Sequence, residues 1–418
     1  MPSSFYGLGI ATSGMSVYNA VLNTTGHNIS NVKTPGYSRQ SVNQMAQLPI
    51  SLRTAYGMVG SGVQAVSVVS SRDDYYDYKY RKNNSTLGYY ASATYYMDSI
   101  QDYLYVNDEN SGGLSTSLNE FFTKIKNLTT SPDDKTKRAE VTGYGETIGK
   151  YANEMATNLQ QMQADLNSQI STTVRQINAY ARELASLTKQ INALEVYGNR
   201  ANDLRDQRAL ILDELSYLAD IEVVEKEPAE GNGMNQYIVT LGGGVLVDTY
   251  HPYSIEVTSK DTYDHQSDAS GLYTLKWNNG QDFAIRSTAL GGRLQALFEL
   301  RDGNNGENFK AFFQDYDKAG QTITLNSDEL SSENASNLAL LSIPETKGVL
   351  TIGNSTFEYE SFDVVVGSDG KYTYTFKLKN EISASDESRL KDLKGKTHAA
   401  IGDAVEFRGV PYYQAQLN

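Results

Sequence analysis

The chain has 418 residues, with 36 Lys and Arg against 50 Asp and Glu, a net charge of −14 and no cysteine. The acidic balance opposes a phosphate backbone, so nucleic acid is not an expected partner, and no uninterrupted apolar run approaches the roughly 18 residues a membrane span needs. Disulfides, thiolate nucleophiles and cysteine-held metal sites are excluded outright, and the absence of any basic residue before Lys33 argues against a general secretory signal.

The opening segment, residues 1–36, is read as one helix. Leu8, Ala11, Met15, Tyr18, Leu22, Thr25 and Ile29 follow at alternating steps of three and four, the spacing of a coiled-coil seam. Gly7, Gly9, Gly14 and Gly26 lower its propensity, so it is expected to need a partner helix and to be loose or wrongly packed without one. Lys33-Thr34-Pro35-Gly36 ends it, since Pro restricts the residue before it and Gly permits the turn. Asn28 and Asn31 are expected to cap the helix end, and Tyr37 with Arg39 to offer an amphipathic contact beyond it.

Residues 37–72 change to short β-like runs around Gly57, Gly60 and Gly62, an extended arm and hairpin. Helical spacing returns from Asp73 to about Val106, with Leu87, Tyr90, Met97 and Leu104 on one face and Tyr75, Tyr76, Tyr78 and Tyr80 at its start. The run Asn107 to Gly113 is loop chemistry, and a short helix is expected from Leu114 to about Leu128. Ser131-Pro132-Asp133-Asp134 reads as a side-chain cap with Pro in the first helical position. The helix it opens keeps an apolar stripe from Val141 to Leu194, with a stutter between Leu166 and Ile170, and is expected to reach Tyr197. A turn at Gly198-Asn199 and an amphipathic helix through Ile211, Leu212, Leu215 and Leu218 complete a long-helix bundle over residues 73–220.

After Asp220 the pattern is β. Residues 221–302 are expected to form a β-rich domain with one helix opening at Gly291-Gly292-Arg293, and its short runs include Phe283 to Ile285. Residues 303–410 form a second, inserted β-rich domain. Its clearest hairpin joins Phe362–Val366 to Tyr372–Leu378 through Ser368-Asp369-Gly370. Residues 411–418 resemble the start of a further helix. The expected fold class is α+β multidomain: a long-helix coiled-coil bundle carrying two antiparallel β-rich domains.

No catalytic, metal or cofactor site is expected. His27, His251, His265 and His398 are isolated in sequence and lack the spacing that puts two ligands on one helical face. Gly242-Gly243-Gly244 lies between β runs with no following helix, so it reads as a hairpin turn and not a phosphate cradle. A calcium loop starting at Asp108 would meet Asn119 where a bidentate Glu is required.

The stretch Asn28-Ile29-Ser30-Asn31, followed by Thr34-Pro35-Gly36-Tyr37-Ser38-Arg39-Gln40, resembles the N-terminal signature of the bacterial flagellar axial proteins, which build rod, hook and hook-associated structures. Tyr-Ser-Arg-Gln looks most like the FlgK family of first hook-associated proteins. Asn202-Asp203-Leu204-Arg205-Asp206-Gln207-Arg208, and Gly291-Gly292-Arg293-Leu294 leading to Leu300-Arg301-Asp302, are similar to that family as well.

The resemblance implies a structural, non-enzymatic subunit of the extracellular flagellum, exported by the type III apparatus and assembled between hook and filament. Its implied partners are identical subunits, the hook protein, the second, filament-side junction protein and a cytoplasmic export chaperone. Asn28, Ile29, Asn31, Thr34, Pro35, Gly36, Tyr37 and Arg39 would then belong to the axial-assembly motif, with Leu8, Ala11, Met15, Tyr18, Leu22 and Ile29 as the seam. The family closes with a long C-terminal helix that pairs with the first one, and this sequence stops at Asn418 where that helix would begin. Other readings stay open on the residues themselves: the filament-side hook-associated protein or the hook subunit, a secreted adhesin or glycan-binding protein using Trp277 and the tyrosines, or an enzyme carried on the β domains.

Overall fold

The computed structural model describes residues 5–51, 58–104, 114–196, 198, 200–226, 235–263, 268–285, 289–302, 309–327, 346–352, 355–366, 372–394 and 405–407. The loop expected over Asn107–Gly113, the turn Ser368–Gly370, the helix start at 411–418, and His265 and His398 lie outside these residues. Helix α1 (Tyr6–Ser30) is followed by strands β1 (Gln40–Ala46), β2 (Ile50–Ser51), β3 (Met58–Val59) and β4 (Val63–Ser70), then helices α2 (Asp74–Leu104), α3 (Leu114–Thr130), α4 (Lys135–Glu195) and α5 (Asn202–Leu218). Strands β5 (Ile221–Lys226), β6 (Gln236–Leu241), β7 (Gly244–Asp248), β8 (His251–Pro252), β9 (Ile255–Ser259) and β10 (Tyr273–Trp277) precede helix α6 (Gly292–Asp302). The last part holds β11 (Phe309–Asp317), β12 (Thr322–Ser327), β13 (Gly348–Ile352), β14 (Ser355–Val366), β15 (Tyr372–Leu378), helix α7 (Ala384–Leu393) and β16 (Val405–Phe407). The fold is α+β multidomain, with long helices and antiparallel sheets.

Helix α4 has 61 residues, about 90 Å at 1.5 Å per residue. Its start differs from the expected one. Ser131 accepts only a backbone turn from Asp134, and the cap is Asp134, whose carboxylate takes the Thr136 N–H at 2.9 Å and the Lys137 N–H at 3.4 Å. An ionised carboxylate held by two end-of-helix N–H groups is the stronger cap, so Pro132 and Asp133 stay in the turn before the helix.

The chain gathers into two compact units, each assembled from separate segments. The first comprises residues 1–89, 173–256 and 276–294. Here Val174, Ile177, Ala181, Leu184 and Ile191 of α4 and Leu212, Leu215 and Leu218 of α5 are buried, together with Val239, Leu241, Leu246 and Val247 of the antiparallel sheet β5-β6-β7-β8. The β6–β7 turn carries Gly242 at φ 57° and Gly243 at φ 85°, two successive positive φ angles that match the right-handed twist of a hairpin. Phe283–Ile285 forms no strand. Phe283 instead is buried against Trp277, ring centroids 5.2 Å apart, and the segment turns back through Ile285 N–H to the Phe283 carbonyl.

The second unit comprises residues 90–172, 257–275 and 295–418. Two amides on α4, half-buried Gln163 and buried Asn167, order its neighbouring backbone: Gln163 donates to Asp268 at 2.9 Å and accepts from Ala269 N–H at 2.7 Å, while Asn167 accepts from Tyr273 N–H at 2.8 Å. Arg301 joins this cluster, donating to Asn167 at 2.9 Å, to the Tyr273 carbonyl at 2.7 Å and to both carboxylate oxygens of Asp302. Each of these bonds satisfies a polar group that burial would otherwise strand.

Strands β11 to β16 close into a barrel in the order β11-β12-β15-β14-β13-β16. Its interior holds Ile323, Leu325, Leu350, Phe357, Tyr359, Tyr374 and Phe376, and Leu390 of α7 is buried with them. Helix α7 starts on Ser383, whose hydroxyl accepts the Asp386 N–H. Glu387 bonds Lys318 and Lys391, and these two ammonium groups lower its carboxyl to about 2. A lowered folded value stabilises the folded form above the ordinary carboxylate range and loses that contribution as pH falls from about 4.5 to about 2. Barrel unfolding followed between pH 6 and pH 2 is therefore expected to show an acid-labile component that Glu387→Gln removes.

Among the described residues no helix is long and apolar enough to cross a membrane, and no group of three or more His, Asp and Glu is placed to hold a metal ion.

Candidate interaction surface at the N-terminal helix

Helix α1 carries two heptad-like stripes. The seam side is open to solvent: Leu8 is 62% exposed, Met15 66%, Tyr18 67%, Leu22 67% and Ile29 69%, and Ala11 is exposed as well. The covered side is Tyr6, Ile10, Ser13, Val17, Ala20, Thr24 and His27, stepping four and three. That face rests on β1 and β4. Val17 is buried, the Ser13 hydroxyl accepts the Val63 N–H at 3.2 Å, and Tyr6 donates to the Gly60 carbonyl at 2.9 Å. Gly62 sits at φ 114° with no room for a Cβ beside Ser13. The helix is thus neither loose nor wrongly packed as expected, because a β-hairpin takes the place of the partner helix on one side.

Asn28 does not cap α1. Its amide donates to the Gln40 carbonyl at 2.8 Å and accepts the Gln40 N–H at 2.9 Å, behaving as one rung of a strand, while Tyr37 donates to the same Asn28 oxygen at 2.7 Å. Burial first, then the negative charges of Asp203 and Asp206, raise the Tyr37 phenol above its ordinary value, so it stays a proton donor at neutral pH. Asn31 does cap, donating to the His27 carbonyl at 3.1 Å, and it accepts from Thr34 at 3.1 Å. Gly36, at φ 75°, places its backbone against Leu210 of α5, where a Cβ would stand 3.0 Å from the Leu210 Cβ. Ile29, Thr34, Pro35 and Arg39 are exposed.

The segment Asn202–Arg208 at the start of α5 receives this turn. Asp203 accepts from Gln40 at 2.6 Å and lies 3.3 Å from the His27 ring nitrogen. Asp206 accepts the Ser38 N–H at 2.8 Å, and Asn202 donates to the Val68 carbonyl at 2.8 Å. Arg205 grips Glu195 with two bonds of 2.7 Å, and Arg208 reaches Glu225 at 2.9 Å while lying 3.7 Å over the Tyr237 ring. Burial raises the Glu195 carboxyl, but Arg205 and the Ala201 N–H outweigh it and leave it lowered. A third segment closes on the same helix: a Cβ on Gly292 would stand 2.5 Å from the Ala219 nitrogen, and Asp220 N–H donates to the Leu290 carbonyl at 2.7 Å. The bonds of Gln40 to Asp203, of Ser38 N–H to Asp206, and of Arg72, which also reaches Asp206 at 3.5 Å, were not readable from the sequence, where the partners stand more than 130 positions apart.

A shallow groove of about 580 Å³ runs between α1 and β1, lined by Val21, Thr25, Ile29, Val32, Arg39 and Val42 among others. Trp277, the aromatic that the glycan-binding alternative needs at the surface, is 8% exposed and packs so closely on Gly244 that a Cβ there would stand 2.4 Å from its ring.

The profile described as the flagellar hook-associated protein FlgK helical domain matches residues 99–326, more than half of the chain. The chain belongs to the FlgK family. It is 32% identical over 266 residues to flagellar hook-associated protein 1 of Bacillus subtilis, covering 62% of this chain and 50% of that protein. With the proteins of the same name from Salmonella typhimurium and Escherichia coli it shares 31% identity over 215 residues, 51% of this chain and 38% of theirs. The chain therefore spans about half the length of its FlgK relatives or less. A solved structure, that of the flagellar hook junction protein FlgK from Burkholderia pseudomallei, is similar at 18% identity over 74% of this chain and 63% of that one, with a TM-score of 0.46.

Proposed function

We propose that this chain is a structural, non-enzymatic subunit of the hook–filament junction of the bacterial flagellum, exported by the type III apparatus and joined to identical subunits through the seam of α1. The carrying observation is that α1 is ordered and docked on one side, yet presents Leu8, Met15, Tyr18, Leu22 and Ile29 to solvent, each more than 60% exposed. Burying a large apolar side chain is worth about 1.5–3 kcal/mol, so five on one stripe supply a strong drive to associate. The hook protein, the filament-side junction protein and an export chaperone are the further partners under this reading. Family membership supports the flagellar role.

The test is Met15→Asp with Leu22→Asp in the full-length chain, expressed as the only hook-associated protein 1 of a flagellated cell. The purified variant is expected to melt within a few degrees of the parent, because both side chains are exposed, while hooks stay bare of filament and swimming is lost. Normal filaments on hooks built with the double variant would refute the seam's role.

A further inference from the structure

We infer that Asn28, Gln40, Asp203 and Asp206 are positioning residues: they form a polar joint that sets the direction in which α1 presents its seam, and the signature turn acts within one chain and not as a contact between subunits. The inference rests on the seam reading above and adds the residues that aim it.

Helix α1 and the hairpin of β1 and β4 are tied to each other along the covered stripe, through Val17, Ser13 and Tyr6. They form one lever. The lever meets α5 at its base through the bonds of Gln40 and His27 to Asp203, of Ser38 N–H to Asp206, and of Asn202 to the Val68 carbonyl, with Gly36 seated on Leu210. Apolar burial there is thin, since Val17 is the one buried residue of α1 and it faces the hairpin. Hydrogen bonds are directional where apolar contact is not, so the angle of the lever is held by the polar set. Asn28 acts inside the lever: it holds the Gln40 peptide and the Tyr37 hydroxyl and so keeps Gln40 and Ser38 where they reach Asp203 and Asp206 of α5.

The geometry makes this angle consequential. Leu8 lies 20 residues before Asn28, about 30 Å along the helix, so a tilt of about 10° at the joint moves the seam's far end about 5 Å. Helices pack at about 8–10 Å between axes, and a displacement of half that spacing takes knobs out of their holes.

The chain has no cysteine, so two can be introduced for spin labels without background. Asn19, exposed and off both stripes, and Gln207, exposed on α5, are the sites. Labels at Asn19→Cys and Gln207→Cys in the full chain are expected to give one narrow distance distribution by pulsed electron resonance. Asn28→Ala, or Gln40→Ala with Asp203→Ala where the first variant folds poorly, is expected to widen it at least twofold with little change in melting, and to lower incorporation at hook ends at least tenfold with every seam residue intact. An unchanged distribution in the joint variants overturns the inference whatever assembly does, and a widened one with parental incorporation overturns it as well. Met15→Asp with Leu22→Asp separates the two readings: it is expected to keep the narrow distribution while blocking assembly, and if it assembles normally the seam reading fails on its own.

Discussion

Gly88→Ala is expected to destabilise the first unit by about 3 kcal/mol, the upper end of what overpacking a fitted site costs, and Gly88→Val by more. An ideal Cβ at Gly88 would stand 2.0 Å from the carbonyl oxygen of Tyr217 and 3.0 Å from its carbon. The obstacle is α5 backbone, which cannot rotate aside as a side chain would. Two turns of α2 depend on that approach: Arg81 bonds Asp213 at 2.9 Å, Asn84 donates to the Asp213 carbonyl at 2.8 Å and to the Ser216 hydroxyl at 2.9 Å, and Ser85 is buried. Burial raises the Asp213 carboxyl while Arg81 and Arg72 pull it down, so separating the helices also exposes a charge network to rearrangement. Denaturant midpoints of parent and variant measure the loss. A change below about 0.5 kcal/mol would show that the helices do not meet there.

Arg301→Leu is expected to cost about 3–5 kcal/mol, the range for removing one partner of a buried ion pair. The Arg301 and Asp302 side chains are 3% and 8% exposed and lie 2.6 Å apart, and the guanidinium also serves Asn167 and the Tyr273 carbonyl. Leucine leaves the Asp302 carboxylate buried without this cation and takes a donor from a backbone oxygen. Arg301→Leu with Asp302→Asn is expected to recover a large part of the loss, because the buried charge that lost this cation is then gone. Equal losses in single and double variants, read from urea unfolding, would place the cost in packing.

The periodic elements were legible because a helix or strand declares itself through spacing. The stripe from Leu166 to Ile191 is buried in α4, and the runs expected at Phe362–Val366 and Tyr372–Leu378 pair as β14 and β15. Local competition between neighbouring polar groups was less legible. Ser131 and Asp134 are both cap residues, and only the folded turn shows that Asp134 holds the α4 start. The second stripe of α1 was hidden because Ser13, Ala20 and Thr24 are small or polar, and its partner is a hairpin that donates a hydrogen bond to Ser13 and accepts one from Tyr6 as well as offering apolar contact. The joint was the least legible part, since one amide cannot announce which distant peptide it will mimic. Of the segments that carried the family resemblance, the N-terminal turn and the start of α6 both close on the third, α5, or on its flank, and pattern along the chain contains no information about that convergence. Segment boundaries drawn where the secondary-structure type changes likewise differ in kind from the two units, which combine stretches far apart in sequence.

The barrel of β11 to β16 gives each of its described strands a partner strand on both sides. A sheet that ends in an open margin invites a stranger's backbone to continue it, whereas in this ring no described strand is an edge strand. A neighbour that meets this module must therefore rely chiefly on side-chain chemistry and less on extending its sheet.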